Sequence, residues 1–388
     1  MPSFSNPTRI TNPLFPIGRL RSALLLGRLD GKPWRAETTL LPYTRVVDWN
    51  GRRVETRESQ FVAYLGGRIF EVAVDHYAQA DDGSVWYLGE NAFSYKRGRV
   101  ADTEGTWLAG VDGPPAMIMP ANPHVGDVYR TENIPGVVFE EVTIERVGVT
   151  LNGPVGPVRG AIVGREVHMD EARLEDKVFA PGYGEFHSGA GRTFEATALA
   201  LPADALSRPM PGALRMLFSR SIQVLDAVRS RSWSAATAAL HGVNTAWRAL
   251  PADAVPSRVA AEMGDAVDAA VHARTPRRAG DAALAVAGAA LDLQLRFRPP
   301  AAIDLARFDL RLRQLLLDAA AGDRPAVSGD IATLEWIRDR LELGSTDSRR
   351  LDAQLRYLRA AAEAGEPEAV TVAAARLREA VARHVPKS

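Results

Sequence analysis

The chain has 388 residues, 47 basic and 47 acidic side chains for a formal net charge of zero, 46% hydrophobic content and no cysteine. That length exceeds one ordinary core and predicts two domains. The charge balance excludes a general nucleic-acid binder, which carries a basic excess against phosphate, and the missing cysteines exclude disulfides, thiolate zinc sites and cysteine nucleophiles.

The start, Met1-Pro2-Ser3-Phe4, has no basic opening followed by an apolar run, so the sequence as written shows no signal peptide. Residues 1–13 hold Pro2, Pro7 and Pro13 among polar residues and read as a disordered, extended arm. From 14 to 201 the pattern is that of an all-β domain. Arg21–Leu29 turns at Asp30-Gly31, Trp34–Asp48 turns at Asn50-Gly51, and Gln60–Leu65 turns at Gly66-Gly67 into Ile69–Gln79. The next turn signal, Asp82-Gly83, leads into Val85-Trp86-Tyr87, and Tyr95–Val100 turns over Arg97-Gly98. Residues 108–123 read as a long irregular loop anchored by Met117-Ile118-Met119. Strand pattern returns at Val137–Leu151, Val158–Met169, Arg173–Phe179 and Thr193–Leu201. Turns this close together predict a meander of neighbouring antiparallel strands, curved into a half-barrel or, second, closed into a barrel.

Residues 202–211 form a proline-rich linker, after which composition shifts to helix formers. Residues 212–385 read as an all-α domain of about eight helices. Phe308, Leu312, Leu315 and Leu316 share one helical face, as do Val327, Ile331, Leu334 and Leu341. Gly280-Asp281, Gly322-Asp323 and Gly365-Glu366, spaced 42 and 43 residues, suggest repeated joints between helices, with a fainter equivalent at Ser232-Trp233. Stacked helical hairpins follow, as a short solenoid or as two bundles. The longest apolar run, Ala282 to Leu291, falls short of the ~20 residues that span a bilayer. The fold class is therefore α+β in two domains.

One motif set stands out: Tyr77-Ala78-Gln79, then Gly83, Val85-Trp86-Tyr87 and Gly89-Glu90. Asn12-Pro13 with Phe15-Pro16, Glu104-Gly105-Thr106-Trp107, Ile118-Met119-Pro120, Val125-Gly126-Asp127 and Ala180-Pro181-Gly182 accompany it in order. Over roughly residues 12–200 the chain resembles a family of uncharacterised, mostly exported or lipid-anchored bacterial β-domains. The resemblance implies an extracytoplasmic setting and no particular reaction. His76 stands where that family has tryptophan, Ala80 where it has an acid, and Ser84 where it has asparagine.

Candidate chemistry divides four ways. Tyr77, Trp86, Tyr87 and Trp107 with Asp75, Glu90, Glu104, Asp112 and Asp127 could line the concave side of the sheet and hold a lipid, a glycan or a cation. The same residues serve equally as core filler and solvated turns, and strand alternation sends Trp86 and Tyr87 to opposite faces. Asp265, Asp268 and His272 share a helix face that His241 and Asp292 could complete as a metal site. No Glu-x-x-His or His-Glu-x-x-His pair supports it, and Asp268 with His272 is an ordinary i,i+4 pair. Glu185-Phe186-His187-Ser188-Gly189 sets a histidine beside a serine, but adjacent strand residues point apart, and the glycines there lack the strand–loop–helix setting of a phosphate cradle. Finally, the helices could offer a protein-interaction surface or only pack the molecule together. The expectation is a binding or scaffolding protein of the bacterial cell envelope without catalysis or cofactor, with a lipid, glycan or protein partner. The alternative is a metal-binding protein or metal-dependent enzyme built on the helices.

Overall fold

The computed structural model describes residues 2–169 and 173–383. The chain divides into two compact units, one ending at Asp204 and the other starting at Ala205, with Arg97–Arg99 grouped with the second.

The first unit is one antiparallel sheet of fourteen strands. In chain order they are β1 (Ser22–Leu29), β2 (Lys32–Trp49), β3 (Arg52–Leu65), β4 (Arg68–Gln79), β5 (Val85–Lys96), β6 (Arg99–Asp102), β7 (Trp107–Leu108), β8 (Ala116–Met119), β9 (Val128–Ile134), β10 (Val138–Asn152), β11 (Pro157–His168), β12 (Arg173–Ala180), β13 (Gly184–Ala190) and β14 (Thr193–Leu201). Spatial order runs β6-β5-β4-β3-β2-β1-β14-β13-β12-β11-β10-β9, with β7 and β8 paired to β5. The meander closes on itself through β1–β14, and its hydrogen bonding stays open between β6 and β9. Twist still brings the far ends together. Gly105, just before β7, faces Val138 of β10, and Gly113 lies against Ile134 of β9. A half-barrel is the result, with one continuous apolar interior.

Turn chemistry explains the register. Asp30-Gly31, Asn50-Gly51 and Gly66-Gly67 all take positive φ at both residues, the left-handed pair that two-residue hairpins need. The β4–β5 connection is longer than its Asp82-Gly83 signal suggests. It spans Ala80–Ser84 and is closed by the Ala80 amide donating to Ser84 O, with the Ser84 amide and hydroxyl both donating to Asp82 Oδ1. Those bonds hold the Asp82 carboxyl below its ordinary range. At Gly89 φ is +140°, and a side-chain carbon would lie 2.6 Å from the Trp107 carbonyl oxygen. Only glycine allows β7 to approach β5 so closely.

The N-terminal arm departs from expectation. Residues 2–13 are extended but fastened, because the Thr11 and Asn12 amides donate to Gln79 Oε1 while Asn12 Nδ2 donates to Gly83 O and Pro120 O. Ile10 is buried in the sheet interior. Four strands absent from the sequence reading, β7, β8, β9 and β13, complete the sheet, β8 within the stretch read as an irregular loop. In β9 residues 130–133 and in β13 the run His187-Ser188-Gly189 interrupt the alternation of apolar residues that marks a strand.

The second unit holds eight helices: α1 (Gly212–Arg229), α2 (Trp233–Arg248), α3 (Ser257–Val271), α4 (Pro276–Gln294), α5 (Pro300–Ala320), α6 (Arg324–Arg340), α7 (Ser345–Ala364) and α8 (Pro367–Ala382). Packing of α1 on α4 and of α5 on α8, beside the sequential pairs, makes two four-helix groups joined by α4 and α5. The two-bundle expectation therefore holds over the solenoid. Proline opens α4, α5, α6 and α8 within the first turn, and Asp323 caps α6 by accepting from the Ala326 amide at 3.0 Å. Gly322 and Gly365 end helices in the left-handed conformation, but Gly280 lies inside α4, so the 42-residue period is broken there. Its place is explained by packing, since a side-chain carbon at Gly280 would meet Leu317 of α5 at 3.2 Å. No helix among the described residues is long and apolar enough to cross a membrane.

Candidate functional site

Strand alternation along β4 places Glu71, Ala73, Asp75 and Tyr77 on one face, turned to the interior of the curl. Pairing sets Ser59 opposite Asp75 and Asp75 opposite Glu90, so one rung across β3, β4 and β5 reads Ser59–Asp75–Glu90. Side chains along such a rung stand about 5 Å apart. The Tyr87 hydroxyl bridges the two acids, 2.7 Å from Asp75 Oδ1 and 3.0 Å from Glu90 Oε2. A phenol has one proton to donate, so the second contact requires a carboxyl that carries a proton of its own. Electrostatics agree. Burial, then the neighbouring Glu58 and Glu71 charges, push Asp75 up to about 7 against the Tyr87 hydrogen bond. Burial and the Asp75 charge push Glu90 up to about 8. Burial also raises Glu71 and, with Glu90, Glu140 and Glu166 nearby, Glu132. Glu195 of β14, which accepts from Trp34 Nε1 at 2.7 Å, is lifted to about 8 by burial and the Glu185 charge.

Glu71, Asp75, Glu90 and Glu195 border a cavity of about 230 Å³, together with Glu185. Phe15, Ile17, Leu20, Leu25 and Phe61 supply its apolar lining, and no lysine, arginine or histidine lines it among the described residues. Tyr77 also lines it, stacked on Tyr87 with ring centroids 4.8 Å apart and meeting Phe15 edge-on at 4.9 Å.

A second polar cluster lies further round the curl, on β10 to β13. His168 Nδ1 sits 2.5 Å from Glu140 and its Nε2 is 3.4 Å from Glu175, while Lys177 Nζ is 3.3 Å from Glu166 and 3.5 Å from Glu185. Burial alone would lower His168, but the Glu140 and Glu175 carboxylates outweigh it and raise the imidazole to about 9. The same His168 bond draws Glu175 down to about 2. Burial alone would depress the Lys177 ammonium, and the four surrounding glutamates hold it charged. Glu140, Glu166 and His168 offer donor atoms close enough to share a cation. Lys177 and the protonated imidazole already supply positive charge there and compete with a metal cation for the same carboxylates.

The sequence-predicted residues separate clearly. Tyr77, Tyr87 and Glu90 reach the site, and Trp107, 1% exposed, backs it edge-on to Tyr87 at 5.3 Å. Trp86 turns away, as alternation requires, and its Nε1 donates to Ser84 Oγ. Glu104 is exposed in a turn and takes no part. His76, in the tryptophan position of the resembled family, is buried with Nδ1 2.8 Å from Glu58 and Nε2 2.9 Å from Arg45. Because arginine only donates, Nε2 accepts and Nδ1 donates.

The helical metal set does not assemble. His241, Asp265, Asp268 and His272 are all exposed. His241 and His272 each lie within hydrogen-bond distance of a carbonyl one turn back, and Asp268 pairs with His272 at 3.2 Å. Asp292 is buried against Arg307 instead. The only metal-capable group among the described residues is the one in the sheet. Ser188 donates to Glu175, away from any His187–Ser188 pairing. Glu71, Glu185 and Glu195 were missed, as was the β10–β13 cluster. Their signal was present in outline: Glu71, Asp75 and Tyr77 share parity along a strand whose opposite parity holds Val72, Val74 and His76.

A scan against protein-family models finds no match to this chain, and a search of curated proteins finds none either.

Proposed function

We propose that the sheet unit is a non-catalytic binding module that holds a small amphipathic molecule inside its curl. The observation that carries this reading is the cavity itself, lined by apolar side chains together with a few carboxyl groups, as ligand sites commonly are. The paired acids fit a role in gripping a ligand because the Tyr87 bridge ties them to one another. The cell-envelope setting belongs to the same proposal and is supported by the motif resemblance of residues 12–200. The helical unit, in this reading, is the scaffold.

A neutral aromatic alcohol tests the binding role. 2-Naphthol should show a saturable, one-site change in fluorescence with the full chain. Ala73→Phe, which fills the cavity from a wall position buried at 6% exposure, should abolish it while circular dichroism stays unchanged. Naphthol binding that survives in a folded Ala73→Phe variant would place the ligand elsewhere.

A further inference from the structure

Five carboxyl groups line the cavity, and no lysine, arginine or histidine is among its described lining residues. Of the five, only Glu185 meets an ammonium among the described residues, Lys177 at 3.5 Å, which is also held by Glu166. Glu71 meets no cation and no hydrogen-bond donor among the described residues, and burial raises its carboxyl. A second observation is independent of charge. Ser59 lines the cavity at 0% exposure, and its Oγ has no hydrogen-bond partner. A buried hydroxyl left unsatisfied is costly and calls for a partner. Ser59 stands opposite Asp75 on the same rung, so a group that satisfies it lies beside Asp75, with Glu90 one strand further on.

The missing partner must therefore donate several hydrogen bonds from one small centre, carry positive charge and lead into an apolar body. A primary ammonium has three N–H donors and meets these needs. Tyr77 and Phe15, both lining the cavity, add aromatic rings of the kind that attract cations. We propose that the cavity takes a primary aliphatic amine, its ammonium over the Ser59–Asp75–Glu90 rung with Glu71 beside it, and its hydrocarbon against Phe15, Ile17, Leu20 and Leu25. This rests on the cavity being a ligand site and adds the chemical class of the ligand.

Three probes of equal chain length, hexylamine, 1-hexanol and hexanoate, separate the two claims in calorimetric titrations of the full chain near neutral pH. Hexylamine should bind one to one and at least about tenfold tighter than hexanol, with hexanoate silent. Ser59→Ala and Glu71→Gln should each weaken the amine about threefold or more and leave hexanol unchanged. Hexanol binding as tightly as hexylamine, or amine affinity indifferent to both substitutions, overturns the amine assignment and leaves the binding cavity standing. No binding of hexylamine overturns it as well, and the 2-naphthol titration then tells whether the cavity fails with it.

Discussion

The double variant Asp75→Asn/Glu90→Gln is expected to be more stable than the parent chain at about pH 8 and little different at about pH 3.5. The sign follows from the direction of the shifts. In the unfolded chain these carboxyls release protons near their ordinary values, around 4, whereas in the fold Asp75 keeps its proton to about 7 and Glu90 to about 8. Between those limits the folded state binds more protons, so stability falls as pH rises from about 4 to about 8 and then levels off. A displacement of about three units for the first carboxyl forced to ionise corresponds to a loss on the order of 4 kcal/mol. Asparagine and glutamine imitate the protonated acids and remove the penalty. Glu195, lifted to about 8, leaves part of the slope in the variant. His168 adds to the same trend, because a folded value of about 9 supports the fold below about 6.5 and withdraws that support as pH rises through 9. Thermal unfolding of the two chains across this range measures the difference directly. Parallel curves for parent and variant would show that the two acids ionise freely in the fold.

The helical unit carries the second large effect. Arg307→Leu should cost about 3–5 kcal/mol, the usual consequence of removing one partner from a buried ionic group. The Arg307 guanidinium donates to Asp292 Oδ1 at 2.8 Å and to Asp304 Oδ1 at 3.4 Å, and Asp292 is 0% exposed. Arg340 approaches Asp304 at 3.7 Å, so Asp304 keeps a cation near it in the variant. Replacing both residues, Arg307→Leu/Asp292→Leu, should recover most of the loss, since an apolar pair of similar volume avoids the desolvation that an ion pair must overcome. Urea unfolding followed by helical circular dichroism reads both variants. A single substitution that costs no more than a surface change would mean that Asp292 finds another donor.

Much of this architecture was legible from residue order. The two-residue turns at Asp30-Gly31, Asn50-Gly51 and Gly66-Gly67 carry left-handed backbone that glycine and asparagine accept, and each sits where expected. The helical faces Phe308–Leu312–Leu315 and Val327–Ile331–Leu334 are buried as their spacing required. Gly280 misled because a glycine that permits close helix packing looks, in one dimension, like a helix stop. The site was legible only in part. Tyr77, Tyr87 and Glu90 announce themselves as aromatics and an acid in one motif. Glu71 and Glu195 read as solvent-facing charges, because a strand pattern cannot tell which polar face a curled sheet will enclose. Ser59 gave no signal, since its meaning depends on its rung partners two strands away.

The central claim is that the curl encloses carboxyl groups that keep their protons at neutral pH. Infrared difference spectra of the folded chain, titrated from about pH 6 to about pH 9, test it through the carbonyl band of protonated carboxyl groups, which ordinary surface acids lack above about pH 6. The band should be present at the lower limit, fade as pH rises through about 7 to 8, and be clearly weaker in Asp75→Asn/Glu90→Gln, where Glu195 still contributes. A parent chain with no such band at about pH 6, or a band the double variant leaves intact, would contradict it.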